Sequence, residues 1–216
     1  MRPSKKKGTR RGGRRSSTKA GKPKRQAKGV PANCVWTSQI IQTLKWINAF
    51  LDGNMGSLTR SWKLSSYTAD AVDVTFNFDA CPFGIGGILI YLGRVVAWFM
   101  DEITQHDIEY LKIDRGSASG QQACEALAAL VGMRLWKPWW CDRRCTMALR
   151  GDNVTALTMA LTLRAPKGAV KKIARELALD YADAAFEPEY AEHVPGVTNI
   201  LSDLLSRRYD PARRED

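Results

Sequence analysis

No stretch of this 216-residue chain reaches the roughly 18 consecutive apolar residues that a membrane span needs, which argues against an integral membrane protein. The first 28 residues lack the apolar core of a secretory signal, so no such signal is visible. Cysteines are few, and the five present are odd in number and irregularly spaced. A disulfide framework is therefore not expected, and a reducing compartment fits better.

Acidic residues are missing from residues 1–28, which hold thirteen lysines and arginines. The whole chain has 33 basic and 22 acidic residues, so the remaining residues are nearly neutral. A block of like charges interspersed with Gly, Ser, Thr and Pro cannot build a core, and residues 1–30 are predicted to form a disordered basic arm. Its natural partner is a polyanion, because each Lys or Arg beside a phosphate releases condensed counterions.

Basic clusters within the arm, such as Lys22–Arg25, suit a nuclear localisation signal or a tether that binds nucleic acid non-specifically. A transit peptide would need an amphipathic apolar face, which the arm lacks. A solubilising tail without a partner is the remaining alternative. We expect a nuclear or a cytoplasmic protein.

Hydrophobic periodicity predicts a mixed α/β layer fold after the arm. Residues 31–70 are predicted to form a connecting segment with a helix at 36–51. Three strands joined by short turns, with a glycine-rich bend at 84–87 between the first two, predict an antiparallel meander. The strands are expected at 74–79, 88–91 and 95–99, and a polar connection at 101–119 follows them. The later elements are a helix at 121–136, a strand at 146–149, helices at about 153–163 and 169–185, a strand at 189–194 and a helix at 197–207.

Four carboxylates fall where such a fold would bring side chains together. Asp79 ends the first strand, Glu125 lies in an alanine-rich helix, Asp152 follows the fourth strand, and Asp203 lies in the last helix. Each has an ordinary alternative: Asp152 could cap the next helix, while Glu125 and Asp203 could be solvated surface acids. Asp79 is the hardest to explain this way, because it ends an apolar strand before a glycine-rich bend.

The segments around these acids resemble the ribonuclease H domain of retroelement polyproteins, including DIRS-like and LTR-type retrotransposons. The matching segments are FDACPFGIGG at 78–87, CEAL at 124–127, GDN at 151–153 and HVPGVTNILSDLLSR at 193–207. The resemblance covers roughly residues 72–208, so a domain is expected at 71–208 with a tail at 209–216. Because the four motifs occur in the family's order, together they are far more specific than any one alone.

The resemblance implies an RNase H-like fold, a mixed five-stranded sheet of three antiparallel strands and two further strands flanked by helices. It also implies an endonuclease that hydrolyses the RNA strand of an RNA–DNA hybrid with two Mg²⁺ ions, for which Mn²⁺ can substitute. Asp79 would bridge the two ions, Glu125 would bind the ion on the leaving-group side, and Asp152 and Asp203 would complete the ligand set. Hard cations prefer such oxygen ligands, and paired ions suit in-line phosphodiester cleavage.

Two departures from the family pattern bear on activity. Cys81 stands where the family often has serine, and the histidine-bearing loop of cellular enzymes is missing before Asp203. His193 precedes the Pro195-Gly196 break and is given no catalytic role, so slow turnover is expected. The Tyr-x-Asp-Asp motif of a reverse transcriptase is also missing, which suggests a detached polyprotein fragment.

Four basic residues on and before the helix predicted at 169–185 are candidates for phosphate contacts: Lys167, Lys171, Lys172 and Arg175. A solvated face balanced by Glu176 and Asp180 is an equal alternative. A second function class is also open, namely a catalytically inactive nucleic-acid-binding protein from a degenerate retroelement that kept the fold and the arm.

Overall fold

The structure is a computed structural model that describes residues 33–35, 37–54, 59–165, 168–185 and 187–213. The basic arm predicted at 1–30 lies outside these residues. The chain divides into two compact units, Met1–Leu58 and Thr59–Asp216. In the first unit, α1 (Thr37–Leu51) matches the helix predicted at 36–51, and the rings of Trp46 and Phe50 stack on it with centroids 6.0 Å apart.

The second unit contains five strands and seven α-helices among its described residues. In chain order these are α2 (Ser65–Thr68), β1 (Val72–Ala80), β2 (Gly84–Tyr91), β3 (Arg94–Glu102), α3 (Gln105–Leu111), α4 (Gln121–Leu135), α5 (Lys137–Trp140), β4 (Cys145–Gly151), α6 (Val154–Thr162), α7 (Ala169–Ala182), β5 (Tyr190–His193) and α8 (Ile200–Ser206). None of the helices in the described ranges combines the length and apolar composition that crossing a bilayer requires.

The five strands form one sheet in the order β3-β2-β1-β4-β5. The β1–β2 and β2–β3 pairs are antiparallel, and the β1–β4 and β4–β5 pairs are parallel. This is the predicted arrangement of a three-stranded meander extended by two further strands. The fold class predicted from the sequence is therefore confirmed.

Two local predictions differ from the structure. The glycines of the supposed bend belong to β2, which begins at Gly84, while Cys81–Phe83 make the connection. The polar connection at 101–119 contains α3, whose N-terminus is closed by a capping box between Thr104 and Asp107. A seven-residue helix shows too few periodic repeats to be detected by hydrophobic pattern.

Aromatic rings fill the space between α4 and the sheet. The ring centroids of Phe76 and Phe99 each lie 5.4 Å from that of Trp136, at the end of α4. Gly87 and Gly132 leave room for Phe99, because a Cβ on either would lie within 3.3 Å of its ring. Small side chains on α4 bring its backbone close to β1, which places residues of its second turn beside the end of that strand.

On the opposite face of β2, α8 packs closely because two positions carry no side chain. A Cβ on Gly86 would lie 2.6 Å from both Leu205 Cβ and Ser206 N, and a Cβ on Gly84 would lie 2.6 Å from Ser206 O. Real Cβ atoms do not approach other atoms so closely, so only glycine permits this packing. The contact holds α8 against the end of β1.

We expect Gly86→Ala to destabilise the protein by about 1–3 kcal/mol, since the added methyl group must push α8 away from β2. Urea unfolding measures the change. Gly93→Asn is the control, because Gly93 has no neighbouring atom within 4 Å and its φ of 75° is one that asparagine tolerates. Equal stability of Gly86→Ala and the parent protein would contradict this packing.

Candidate active site

Three acidic side chains from distant parts of the chain meet at one edge of the sheet. Asp79, Glu125 and Asp152 each contribute a carboxylate oxygen to a group whose members all lie within 4.8 Å of one another. Asp79 is near the end of β1, and Asp152 follows β4, the parallel neighbour of β1. Because the carboxyl ends of parallel strands share an edge, the topology brings these two acids together. We call the three residues the acidic triad.

Glu125 is a buried member of the triad, with only 2% of its surface exposed. Its Oε1 accepts a hydrogen bond from Gln121 Nε2 at 2.8 Å, and the same amide also donates to the carbonyl of Ala80. Its Oε2 is buried and has no hydrogen-bond partner among the described residues. The alternative of a solvated surface acid is therefore wrong for Glu125.

Asp79 is also buried and is held by α8. Its Oδ2 accepts a hydrogen bond of 2.6 Å from the hydroxyl of Ser206. The carbonyl of Ser206 accepts from the thiol of Cys81 at 3.1 Å, so the cysteine that departs from the family pattern ties the same helix to the sheet. These bonds fix the orientation of the Asp79 carboxylate.

Asp152 is the exposed member of the triad. The helix that follows it is capped by Asn153, whose Oδ1 accepts from Ala156 N at 3.0 Å. The alternative of Asp152 as a helix N-cap is therefore wrong, and its carboxylate remains available. His193, at the end of β5, places Nε2 3.0 Å from the backbone carbonyl of Asp152 rather than from its carboxylate.

Asp203, the fourth predicted acid, is not part of the acidic triad. Its Oδ1 accepts from Arg207 Nε at 2.5 Å, and its Oδ2 lies 3.8 Å from Arg213 Nη1. The hydroxyl oxygen of Ser206, whose proton is donated to Asp79, also lies 3.0 Å from the Asp203 carbonyl oxygen. The structure thus gathers three of the four acids and places the fourth beside them in an ion pair.

Burial raises the pKa of Asp79 to about 6, and the negative charges of Asp152 and Asp203 contribute to the increase. The hydrogen bond from Ser206 and the positive charge of Arg207 act in the opposite direction. A carboxylate that is out of water and next to like charges favours its protonated form. Asp79 therefore carries an unfavourable charge at neutral pH in the absence of a cation.

Burial also raises the pKa of Glu125, to about 9, with additional repulsion from Asp79 and Asp152. The hydrogen bond from Gln121 lowers this pKa but does not compensate for burial. A bound cation stabilises a pocket of this kind because it neutralises the repelling carboxylates. The ligand atoms of the pocket are the oxygens that hard divalent cations prefer. The acidic triad can therefore hold a metal ion.

Three residues that orient the acids were not predicted, although their spacing is visible in the sequence. Gln121 precedes Glu125 by four residues, and Ser206 and Arg207 follow Asp203 by three and four. Residues at such spacing share one face of a helix. Arg213 lies beyond α8, in a separate 3₁₀ turn, and no periodicity in the sequence indicates its position.

The predicted nucleic-acid contacts have different surroundings. Lys167 lies outside the described residues. Lys172 donates to the carbonyl of Tyr110 and sits 4.6 Å from the centroid of that ring, so it joins α7 to α3. Lys171 and Arg175, together with Arg164, line an open cavity of about 280 Å³.

The acids that were expected to balance Arg175 bind another arginine. Arg134 of α4 pairs with Glu176 at 2.9 Å and with Asp180 at 2.8 Å. These two carboxylates are therefore engaged between α4 and α7. The basic side chains at the cavity keep their net positive charge.

No family model and no curated protein matches this chain. Solved structures that resemble it include RNase H1 from the halophilic archaeon Halobacterium salinarum NRC-1, with 18% identity over 63% of this chain and 94% of that chain, at a TM-score of 0.45. LC11-RNase H1 in complex with an RNA/DNA hybrid has 12% identity over 62% of this chain and 92% of that chain, at a TM-score of 0.44.

A third similar structure is the foamy viral protease-reverse transcriptase in complex with double-stranded DNA. It has 13% identity over 78% of this chain and 34% of that chain, at a TM-score of 0.30. The strand order of the sheet identifies the fold of this chain as RNase H-like, and the acidic triad is defined by the chain's own geometry.

We expect Glu125→Gln to stabilise the metal-free protein at pH 8 by about 1–3 kcal/mol and to have little effect at pH 5. The folded-state pKa of about 9 lies above the ordinary value of 4.5. The folded protein therefore binds more protons than the unfolded chain between these values, and its stability falls as the pH rises through that window. Thermal unfolding in EDTA at both pH values measures the difference.

Glu187→Gln is the matched control, because Glu187 is exposed. It should shift the melting temperature equally at the two pH values. A stabilisation by Glu125→Gln that does not depend on pH would contradict the raised pKa.

Proposed function

We propose that this chain is a metal-dependent endonuclease that hydrolyses the RNA strand of RNA–DNA hybrids, and that it derives from a retroelement polyprotein. The observation that carries the proposal is the acidic triad, in which Glu125 of α4 meets Asp79 and Asp152 at the carboxyl ends of two adjacent parallel strands, with carboxylate oxygens within 4.8 Å of one another. Two of its members are buried, and no cation from the described residues pairs with them directly. Burying neighbouring carboxylates without a counter-ion costs free energy, and such an arrangement is typical of a binding site for metal ions.

The residues fit Mg²⁺, with Mn²⁺ as a substitute, because every ligand they offer is a carboxylate oxygen. Asp79, Glu125 and Asp152 would hold the ions, with Asp203 beside them. The unpartnered Oε2 of Glu125 is available to a ligand without loss of a hydrogen bond. When bound, two such ions activate the attacking water and stabilise the leaving oxygen of phosphodiester hydrolysis.

The chain's own residues orient these ligands. Gln121 fixes one oxygen of Glu125, and Ser206 fixes one oxygen of Asp79. Both hydrogen bonds leave the second oxygen of each carboxylate without a hydrogen bond from the described residues. Such outer contacts hold ligands in position before an ion arrives, which reduces the reorganisation that binding requires.

The nucleic-acid substrate is proposed from the sequence resemblance and from the positive charge on α7. Lys171 and Arg175 face a shared cavity with Arg164, and their charges can follow the phosphates of a duplex. Lys172 lies nearby on the same helix, and Lys167 precedes it. The basic arm would add non-specific affinity for nucleic acid and a nuclear address.

A second candidate is a nucleic-acid-binding protein without activity. The observation in its favour is the ion pair of Asp203 with Arg207 and Arg213, which engages the fourth acid away from the triad. If that pair persists in the presence of metal ions, the ligand set stays incomplete.

We expect Asp79→Asn to reduce cleavage of a labelled RNA–DNA hybrid in Mg²⁺ by at least about 100-fold, since it removes a charged ligand at the centre of the triad. Gel analysis of the RNA strand measures cleavage. Asp70→Asn, at an exposed position, is the control and should cleave like the parent protein.

Binding of the hybrid by both the parent protein and Asp79→Asn, without cleavage by either, would favour the inactive binding protein. Cleavage that survives in Asp79→Asn would show that the activity does not arise from this site.

We expect the combined substitution of Arg164, Lys171 and Arg175 by Gln to weaken hybrid binding and to lower the salt dependence. The slope of log affinity against log salt should fall by roughly 0.9 for each phosphate that the variant no longer neutralises. Fluorescence anisotropy over a salt series measures both. Arg94→Gln on β3 is the control, and an unchanged slope in the triple variant would exclude these residues from the interface.

A further inference from the structure

Three arginines surround a cavity of about 300 Å³ beyond the C-terminal end of α8. Arg207, Arg208 and Arg213 line it together with Leu204. Arg207 and Arg213 lie on either side of the Asp203 carboxylate, at 2.5 Å and 3.8 Å. Arg208 is exposed and has no ion pair with any of the described residues. Two of the three arginines that line the cavity therefore pair with the Asp203 carboxylate, and the third has no such partner among the described residues.

A guanidinium group binds carboxylate and phosphate oxygens with the same planar fork of N–H donors. The position of the Asp203 carboxylate is thus one that a phosphate could take. The pair is also open to water, since the side chains of Asp203, Arg207 and Arg213 are 26%, 40% and 50% exposed. Burial does not lock Asp203 to its partners, so another anion can compete with it.

The arginine cavity is linked electrostatically to the acidic triad. Arg207 follows Ser206, whose hydroxyl binds Asp79, and the charge of Arg207 lowers the pKa of Asp79. A divalent cation held by the triad would attract the Asp203 carboxylate and repel the guanidinium groups. Metal binding therefore favours the separation of Asp203 from Arg207 and Arg213.

We propose that Arg207, Arg208 and Arg213 form a phosphate-binding site for the nucleic-acid backbone beside the acidic triad, and that Asp203 pairs with Arg207 and Arg213 as an internal anion until a metal ion takes its carboxylate. This inference rests on the proposed function. The exchange couples the two ligands, because a metal ion frees the arginines for a phosphate and a phosphate frees Asp203 for the metal ion. By linkage, each ligand must raise the affinity for the other by the same factor.

The first test measures metal affinity without nucleic acid, by calorimetric titration with Mn²⁺. Arg207→Gln removes the competitor of the metal ion for Asp203, so the affinity should rise about two- to fivefold, as expected from the loss of a half-exposed ion pair. In an Asp203→Asn background the same substitution should have no effect. Arg208→Gln, which has no ion pair with Asp203, should leave metal affinity unchanged.

The second test measures binding of a labelled RNA–DNA hybrid by anisotropy, in EDTA and in Ca²⁺, with a gel to verify that the RNA is intact. Ca²⁺ should tighten binding by the parent protein. Arg207→Gln and Arg208→Gln should each weaken binding in Ca²⁺ and reduce the salt slope by about one. Arg94→Gln, on the distant end of β3, should do neither.

Metal affinity that falls or stays the same in Arg207→Gln would overturn the exchange, because the arginine would then support Asp203 as a ligand or be indifferent to it. An unchanged salt slope in Arg208→Gln would overturn the phosphate site. Metal affinity and hybrid binding are both equilibrium measurements and do not require cleavage. The proposed function is tested separately, because it fails if the parent protein does not cleave the hybrid. Circular dichroism verifies that each variant is folded.

Discussion

The mutual repulsion of three carboxylates held within 4.8 Å is the constraint on which this domain depends. Two of them are buried, and burial of a charge costs free energy that other contacts must offset. The protein offsets it in part with single hydrogen bonds from Gln121 and Ser206 and with the nearby charge of Arg207. These contacts leave the pKa of Glu125 and Asp79 raised, so the site remains prepared for a cation.

The fold supplies this geometry through close backbone approach on both faces of the sheet. Small residues on α4 bring Glu125 to the end of β1 from one face, and the glycines of β2 admit α8 from the other. Neither helix could approach so closely over a surface of large side chains. The glycines at 84 and 86, which the sequence pattern assigned to a bend, are therefore part of the site's architecture.

Asp203 lies between the acidic triad and the arginines that follow α8. Its carboxylate forms ion pairs with Arg207 and Arg213 outside the triad. Its negative charge is nevertheless close enough to Asp79 to raise the pKa of that residue. An acid in this position links the acidic triad to the arginine cavity. The two proposals of function and of phosphate binding meet at this residue.

The sequence by itself determined the order of the strands and of most helices, the four candidate acids and the net positive charge of the first 28 residues, because alternation, motif order and charge runs are local patterns. The tertiary structure decided which acids converge, that Asn153 rather than Asp152 caps α6, and that Arg213 reaches Asp203. The convergence of the acids depends on distances between residues far apart in the chain. Such distances are set by packing, in particular by the space that the glycines of β2 leave for α8, and no local pattern encodes them.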